Sequence, residues 1–416
     1  MSNKPHILYI TYDGLSDPLG KSQILPYIKA LSKAGYRFTI LSFEKKQRIE
    51  LEKTRIEKEL QEYDINWHYA LFTSFPPFFS KIKDIISLYK ISRRIAEKDK
   101  IDAVHCRSYV ASLAGLNLKK KKGIPFIFDM RGFWADERIE GNIWNGKNPL
   151  FRRAYHYFLK KEKLFFEISD AVVSLTYKGI EVAEKRYNRS FSDKAFVVRT
   201  CTDTTIFNVK NCTVESRAKF RSQITKNNDA FVLVYAGSTG TWYMMEDMFR
   251  FFEKFLQHKP GAIFLILTQT PEAEVRVFSS KIPAENVVVK SVEYGEMPQW
   301  LHACDAGIYF IRPLLSKQAS TAVKTGEMAA CGLPAVVNAI GDMEMLFKNY
   351  QMGIMVGDLS DASLEEAARK LSLENIPRAE FPPEFSLDAG VEKYKEVYSF
   401  VSKTGSSGDE PDNQKD

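Results

Sequence analysis

Short apolar runs alternate with longer amphipathic stretches from one end of the chain to the other. The runs at 6–12, 38–43, 65–70, 102–107, 124–128 and 171–175 are rich in β-branched and aromatic residues, as strands buried on both faces of a parallel sheet are. Between them, 44–63 reads as a highly charged, exposed helix, 80–98 as an amphipathic helix with basic residues opposite its apolar ones, and 150–169 as an aromatic-basic helix. The same alternation resumes at 231–236, 262–268, 287–290, 307–311 and 335–337, with helices expected over about 242–255, 297–303, 322–331 and 391–401. Strand–helix alternation of this kind predicts an α/β protein with doubly wound parallel sheets. A polar, irregular stretch divides the halves. The expected organisation is a first domain over 1–207, a linker over 208–228, and a second domain over 229–402 that includes the final helix. A tail over 403–416 lacks apolar residues and is expected to be disordered.

The stretch 305–334 carries the most pointed chemistry. Its apolar strand stops at Arg312-Pro313, a loop of small polar residues follows, and a helix ends at Gly332 with Pro334 preventing continuation. Ser320 and Thr321 suit the N-cap, and first-turn N–H groups with the positive dipole end make an anion site. Lys324 falls in that first turn, where a cation is unfavourable unless an anion is there to receive it. Glu327 lies one turn deeper on the same face. A phosphate at the helix start would leave it placed to accept hydrogen bonds from a ribose diol. The plainer alternative is a surface Lys–Glu pair.

Other strand ends carry candidates too. The loop 13–22 resembles a phosphate-binding P-loop, but Gly14 and Gly20 have five residues between them where that motif needs four. Pro18 also removes a backbone donor. ATP binding through Lys21 is kept as an alternative. His105 and Arg107 close one strand, where open sheets of this class place their ligands; a histidine satisfied within the core is the competing reading. Asp129, Arg131 and Gly132 stand at the end of the next strand, ahead of a loop with Trp134 and Trp144. In the second half, Gly237-Ser238-Thr239-Gly240 lies between a strand and a helix start, where phosphate oxygens can be held.

Composition narrows the class. The 416 residues are 44% hydrophobic and 27% charged, without an apolar run long enough to span a membrane. The chain is therefore expected to be neither exported nor integral. Five cysteines without a Cys-x-x-Cys pair and six scattered histidines give no disulfide framework or metal-ligand spacing. The net charge of +7 is uneven: residues 1–205 hold 37 Lys and Arg against 24 Asp and Glu, and the remainder 22 against 28. A basic first half suggests an anionic surface or substrate. The aromatic loop 72–79, the basic amphipathic helix 80–98 and the lysine run 119–122 would suit anionic lipid; a helix docked on a sheet is the ordinary alternative.

Taken in order, these features resemble the GT-B glycosyltransferases, and in detail glycosyltransferase family 4. Residues 13–26 look like the family's first glycine loop. Residues 102–107 resemble its Asp-x-x-His-x-His strand end, with Arg107 at the second histidine. Residues 129–132 look like the loop that often carries a His-Gly pair, Asp203-x3-Phe207 is similar to a motif preceding the linker, and Lys324 to Glu327 through Gly332-Leu333-Pro334 is the most specific match. The resemblance implies two Rossmann-like domains facing an interdomain cleft. It implies a retaining transferase using a nucleotide diphosphate sugar without a bound metal or other cofactor. Donor-binding residues would be Gly20, Gly237, Ser238, Arg312, Ser320, Thr321 and Lys324, with Glu327 at the ribose and Glu293 and Tyr294 near the base. His105, Asp129 and Arg131 would be the catalytic candidates. Ala319 stands where the family's Glu-x7-Glu pair has its first glutamate, and Arg131 where a catalytic histidine is usual, so the chain reads as a divergent branch. Expected partners are the donor, a glycan or lipid-linked acceptor of cell-surface polysaccharide synthesis, and an anionic membrane at its cytoplasmic face, with no nucleic acid. A nucleotide-sugar epimerase of the same architecture and a non-catalytic nucleotide-sugar-binding subunit are the alternatives.

Overall fold

A computed structural model of the chain describes residues 4–73, 77–373 and 376–406. It divides into two compact units, Met1–Arg199 with Leu387–Asp416, and Thr200–Ser386.

The first unit is built on seven parallel strands: β1 (His6–Thr11), β2 (Arg37–Glu44), β3 (Asn66–Leu71), β4 (Ala103–Arg107), β5 (Phe126–Asp129), β6 (Ala171–Ser174) and β7 (Ala195–Val197), in the order β3-β2-β1-β4-β5-β6-β7. The chain winds outward from β1 to β3, then returns to lay β4 on the other side of β1. The switch point of the sheet therefore lies between β1 and β4, where doubly wound sheets bind their ligands. Register pairs Thr11 with Arg107 and Arg107 with Asp129, which brings the three candidate loops side by side. The helices that shape this unit are α1 (Pro18–Gln23), α2 (Lys46–Gln61), α3 (Pro77–Lys98), α4 (Ser108–Lys122) and α5 (Pro149–Ile168). Helix α4 is apolar nearly all round and buried along most of its length. It lies tight on β5 because Gly115 carries no side chain: a Cβ there would sit 2.4 Å from the Phe126 ring.

The second unit repeats the plan with six parallel strands: β8 (Val232–Ala236), β9 (Ile263–Leu267), β10 (Val287–Lys290), β11 (Ala306–Tyr309), β12 (Ala335–Asn338) and β13 (Gly353–Val356), in the order β10-β9-β8-β11-β12-β13. Its switch point is between β8 and β11. Helix α6 (Met245–His258) turns a stripe of Met248, Phe249, Phe252 and Phe255 onto the sheet. Helix α7 (Val323–Ala330) lies between β11 and β12 and ends, as its sequence requires, at Gly332 in the left-handed region (φ 67°).

Three boundaries differ from the sequence expectation. The stretch 208–228 is not a free linker, because it contains a helix, Val214–Arg221, that belongs to the second unit. Arg217 and Arg221 bind Asp305 at 2.7 and 2.9 Å, and Arg221 also donates to the Ala303 carbonyl at 2.8 Å. The last helix, α8 (Leu387–Ser406), belongs to the first unit rather than the second. Gly390 lets it pack on the Tyr27 ring, and its tyrosines enter the core below β4 and β5. It also extends past 401; the rest of the expected disordered tail, and residues 74–76 of the aromatic loop, lie outside the described residues.

Candidate active site

In the second unit, strand β8 delivers the chain to Gly237 (φ 139°), whose N–H donates to the Leu267 carbonyl at 2.9 Å. The Lys324 side chain, from the first turn of α7, reaches this point. Its Nζ would lie 2.8 Å from a Cβ on Gly237, so any side chain there would meet the amine. Lys324 is 7% exposed and, among the described residues, its Nζ has no hydrogen-bond partner. Aromatic faces surround it instead: the ring centroids of Tyr243, Tyr235 and Tyr309 lie 3.6, 4.2 and 5.7 Å away. Such faces stabilise an ammonium by roughly 0.5–2 kcal/mol, less than burial without an acceptor costs. Burial accordingly drives the amine down to about 7, with Glu327 opposing the shift.

One turn along, Glu327 is 8% exposed and accepts the Tyr294 hydroxyl at 2.9 Å. Burial raises this carboxyl, while the Tyr294 bond and Lys324 hold it back. Tyr294 itself is half exposed and packs against the fully buried Phe207 (5.6 Å between centroids). Asn338 at the end of β12 fixes the exit of β11 by exchanging two 2.8 Å hydrogen bonds with the Ile311 backbone. The N-cap position of α7 is Ala322, not Ser320 or Thr321, and no side chain caps the helix. The Ser320 hydroxyl turns back to the Lys317 carbonyl at 3.1 Å. Ser238, Glu293 and Arg312 are exposed near their strand ends. Ala319 is fully buried in a short turn, so a methyl group occupies the position of the missing glutamate. The cage tyrosines were missed from sequence because Tyr235 sits in an apolar strand and Tyr243 beside an aromatic helix, where each reads as core.

The first unit places Asp13, His105, Arg107, Asp129 and Arg131 around the ends of β1, β4 and β5. His105 is 1% exposed and both ring nitrogens are engaged, Nδ1 with the Tyr398 hydroxyl at 2.9 Å and Nε2 with Asp129 Oδ2 at 3.4 Å. A proton on Nε2 satisfies both. Burial lowers its pKa against the pull of Asp129, so the imidazole is neutral. Asp129, fully buried, also accepts from Tyr394 at 3.2 Å. Burial pushes its carboxyl up, but Arg131, His105 and Arg107 outweigh this and hold it below the ordinary range. Arg107 reaches Asp13 at 3.4 Å. The structure thus favours the core-histidine reading of His105: with Asp129 it braces α8 and offers no free nitrogen to a substrate. Arg131 and Ser108, directly after the strand ends, hold φ of 56° and 66°. Non-glycine residues there cost about 1–3 kcal/mol each, and such strain gathers at functional turns.

The loop after β1 is not a phosphate cradle. Its Leu15 and Ser16 N–H groups donate inward to Glu44 at 2.7 and 3.1 Å, joined by the hydroxyls of Ser16 and Ser42. Gly20 lies inside α1, where a Cβ would strike the Gly14 carbonyl at 2.2 Å, so glycine is needed there for packing rather than for a ligand. Glu44, expected to open an exposed helix, is the fully buried last residue of β2. Its only sequence signal was a lone acid at the end of an apolar run.

These features give the molecule the GT-B fold, two doubly wound units each with charged residues gathered at its strand ends. Residues 24–205 match Glycosyltransferase Family 4. Over its whole length the chain shares its fold with a glycosyltransferase from Rickettsia africae (TM-score 0.65, 17% identity, 96% of this chain and 99% of that one). It is similar likewise to a sucrose-phosphate synthase from Thermosynechococcus elongatus (0.65, 13%, 97% and 98%) and to Anabaena Alr3699/HepE in complex with UDP-glucose (0.61, 12%, 97% and 99%). No curated protein matches the chain by sequence. Residues 24–205 thus match the model of that family, and the chain as a whole shares the fold of these enzymes at low identity.

Proposed function

We propose that the second unit binds a nucleotide diphosphate sugar and that the enzyme transfers the sugar, with retention and without a metal, to a glycan or lipid-linked acceptor in cell-surface polysaccharide synthesis. The observation that carries this reading is the Lys324 amine, buried beside Gly237 without an acceptor, with Glu327 one turn deeper. A diphosphate at Gly237 would supply the missing acceptor. In the transition state negative charge grows on the leaving diphosphate, and a cation already fixed there stabilises it without reorganisation. Arg312, exposed at the β11 exit, is the second candidate for that charge. Glu327, kept in place by Tyr294, would accept the ribose hydroxyls. That HepE was solved with UDP-glucose supports a nucleotide-sugar donor. With Ala319 in place of a glutamate, the donor sugar would be held by other groups, and its identity is open to screening.

Calorimetry against UDP- and GDP-linked sugars tests this. Binding in the micromolar range is expected for one of them, abolished by Glu327→Ala with the thermal midpoint retained. Equal affinity in wild type and variant would remove the reading.

A further inference from the structure

Two helices of the first unit present to solvent a surface of one sign. On α3, the exposed positions between 82 and 94 are Ile82, Lys83, Ile86, Lys90, Arg93 and Arg94. On α5, between 150 and 163, they are Leu150, Arg152, Arg153, His156, Tyr157, Lys160 and Lys163. Each stretch contains one acid, and both point inward. Asp84 is 1% exposed and takes the Tyr12 hydroxyl at 2.5 Å; Glu162 is fully buried and binds Arg186 at 2.8 Å. Among the described residues, Lys83, Lys90, Arg93, Arg94, Arg152, Arg153 and Lys160 have no salt-bridge partner, and Lys163 has only Glu167 at 3.8 Å.

Helix α2 shows that this is not the general habit of the unit. There Lys53 faces Glu57, and Arg55 faces both Glu52 and Glu59, the mixed pattern of an ordinary solvated helix.

The two helices form one face. Both flank α4, and they come together at Tyr89 and Tyr157, where burial and then the neighbouring Tyr157 push the Tyr89 phenol up to about 12. The exposed aliphatic groups on this face lie toward one end of it. Helices between parallel strands run back from the carboxyl ends of the strands, so their first turns lie at that rim. Ile82 and Ile86 (44% and 60% exposed) lie in the first half of α3, and Leu150 (51%) in the first turn of α5. Leu71 ends β3 at the same rim, 49% exposed. These exposed apolar groups lie toward the strand ends where Asp13, Arg107 and Arg131 stand, interleaved with Lys83, Arg152 and Arg153, and further cations continue away from them.

We propose that the α3–α5 face is a docking surface for an anionic lipid bilayer, with Ile82, Ile86 and Leu150 entering the headgroup layer and the cations held against the lipid charge. Charge complementarity and the interleaved aliphatic groups select this occupant. Nucleic acid would meet the same charge but gains little from exposed isoleucine, since it binds through phosphate contacts and base stacking. No helix of the described residues is long and apolar enough to cross a membrane, so this is peripheral binding, in which short apolar insertions and a polybasic patch act together. Its purpose, keeping the acceptor rim at the membrane, rests on the lipid-linked acceptor proposed above; the face itself does not.

The test is co-sedimentation of the full chain with phosphatidylethanolamine vesicles containing roughly 30 mol% phosphatidylglycerol, and with neutral phosphatidylcholine vesicles. Wild type is expected to bind the anionic vesicles in about 50 mM salt and to be released at least about fivefold in about 0.5 M salt. Arg93→Glu with Arg94→Glu and Arg153→Glu should weaken binding by about tenfold or more. Ile82→Ser with Ile86→Ser should weaken it about threefold or more. Lys53→Glu with Arg55→Glu on α2 should stay within about twofold of wild type. Equal binding to neutral vesicles, a triple variant that binds like wild type, an α2 variant that loses as much, or retention of a short RNA with no vesicle binding each overturns the proposal. Calorimetry with the nucleotide sugar separates the two readings. A triple variant that loses vesicles but keeps the donor supports the face alone, and a wild type that binds vesicles but no donor upholds the face while sinking the proposed function.

Discussion

The two units place clusters of charge at equivalent points of their sheets and treat that charge in opposite ways. In the first, each buried charge faces an opposite charge or a hydrogen-bond partner: His105 meets Tyr398 and Asp129, Asp129 Oδ2 accepts from Tyr394, and Arg107 reaches Asp13. The Arg131 guanidinium, though without a hydrogen bond from Nε or Nη1, lies 3.8 Å from Asp129 Oδ1. In the second, Lys324 is left among tyrosine rings without an acceptor. A buried charge with partners helps hold a fold; one without partners destabilises it unless something else supplies the missing interaction. Position at a switch point therefore does not by itself identify a binding site. A buried charge with no hydrogen-bond partner is the sharper pointer.

Removing that group breaks the comparison most directly. Lys324→Met should lower nucleotide-sugar affinity by about 100-fold or more, since it deletes a charge-assisted contact from a desolvated site. The thermal midpoint should hold or rise, because an unpaired buried amine is removed. A loss of affinity under about threefold would mean that the cage is structural. Glu327→Gln should cost less, about 10- to 30-fold in donor affinity, because the amide still meets Tyr294 but gives the ribose a weaker acceptor than a carboxylate. Calorimetry on the same preparations ranks the two.

The first unit should respond the other way. His105→Leu leaves the Tyr398 hydroxyl and an Asp129 oxygen without their partner, and is expected to cost about 1–3 kcal/mol of stability in a denaturant titration. Donor affinity should be unchanged. A variant of wild-type stability that had lost turnover would return His105 to the reacting groups and end the contrast drawn here.

Much of this was legible in the residues. The strand–helix alternation carried both sheets, and the Lys324–Glu327 spacing on a helix closed by Gly332 marked the pair that the fold brings beside Gly237. What was not legible came from groups brought together across long intervals of chain. Tyr398 reaches His105 from the far end of the sequence, so the final helix read as part of the unit it follows. Glu44 looked like the start of an exposed charged helix because its four donors come from Ser42 and from residues 15 and 16. Ser320 and Thr321 have the right chemistry for an N-cap, but the backbone places Ala322 there and the Ser320 hydroxyl turns to Lys317. Local chemistry proposes a role, and the partner that decides it is often remote.

The finest test of the contrast is its pH dependence. With the donor absent, burial holds the Lys324 amine at about 7. A diphosphate beside it would favour the ammonium and raise that value. Between the two values donor binding takes up a proton, so affinity should be flat below about pH 7 and fall above it, by up to about tenfold per pH unit. A nucleotide diphosphate sugar lacks the terminal phosphate ionisation near about 6 that would confuse the result with a free nucleotide diphosphate. Calorimetry in buffers of different ionisation heat counts the proton directly. Lys324→Arg keeps the charge at all these pH values and should flatten the curve while binding is retained. Stability without donor carries the opposite sign: the unfolded chain, with an ordinary lysine, binds more protons above about pH 7 than the folded one. Stability should therefore rise with pH through this window, and Lys324→Met should remove that rise. A wild type whose donor affinity does not change between about pH 6.5 and 8.5 would show that the amine already carries its proton before the donor arrives. The second cluster would then be as self-contained as the first.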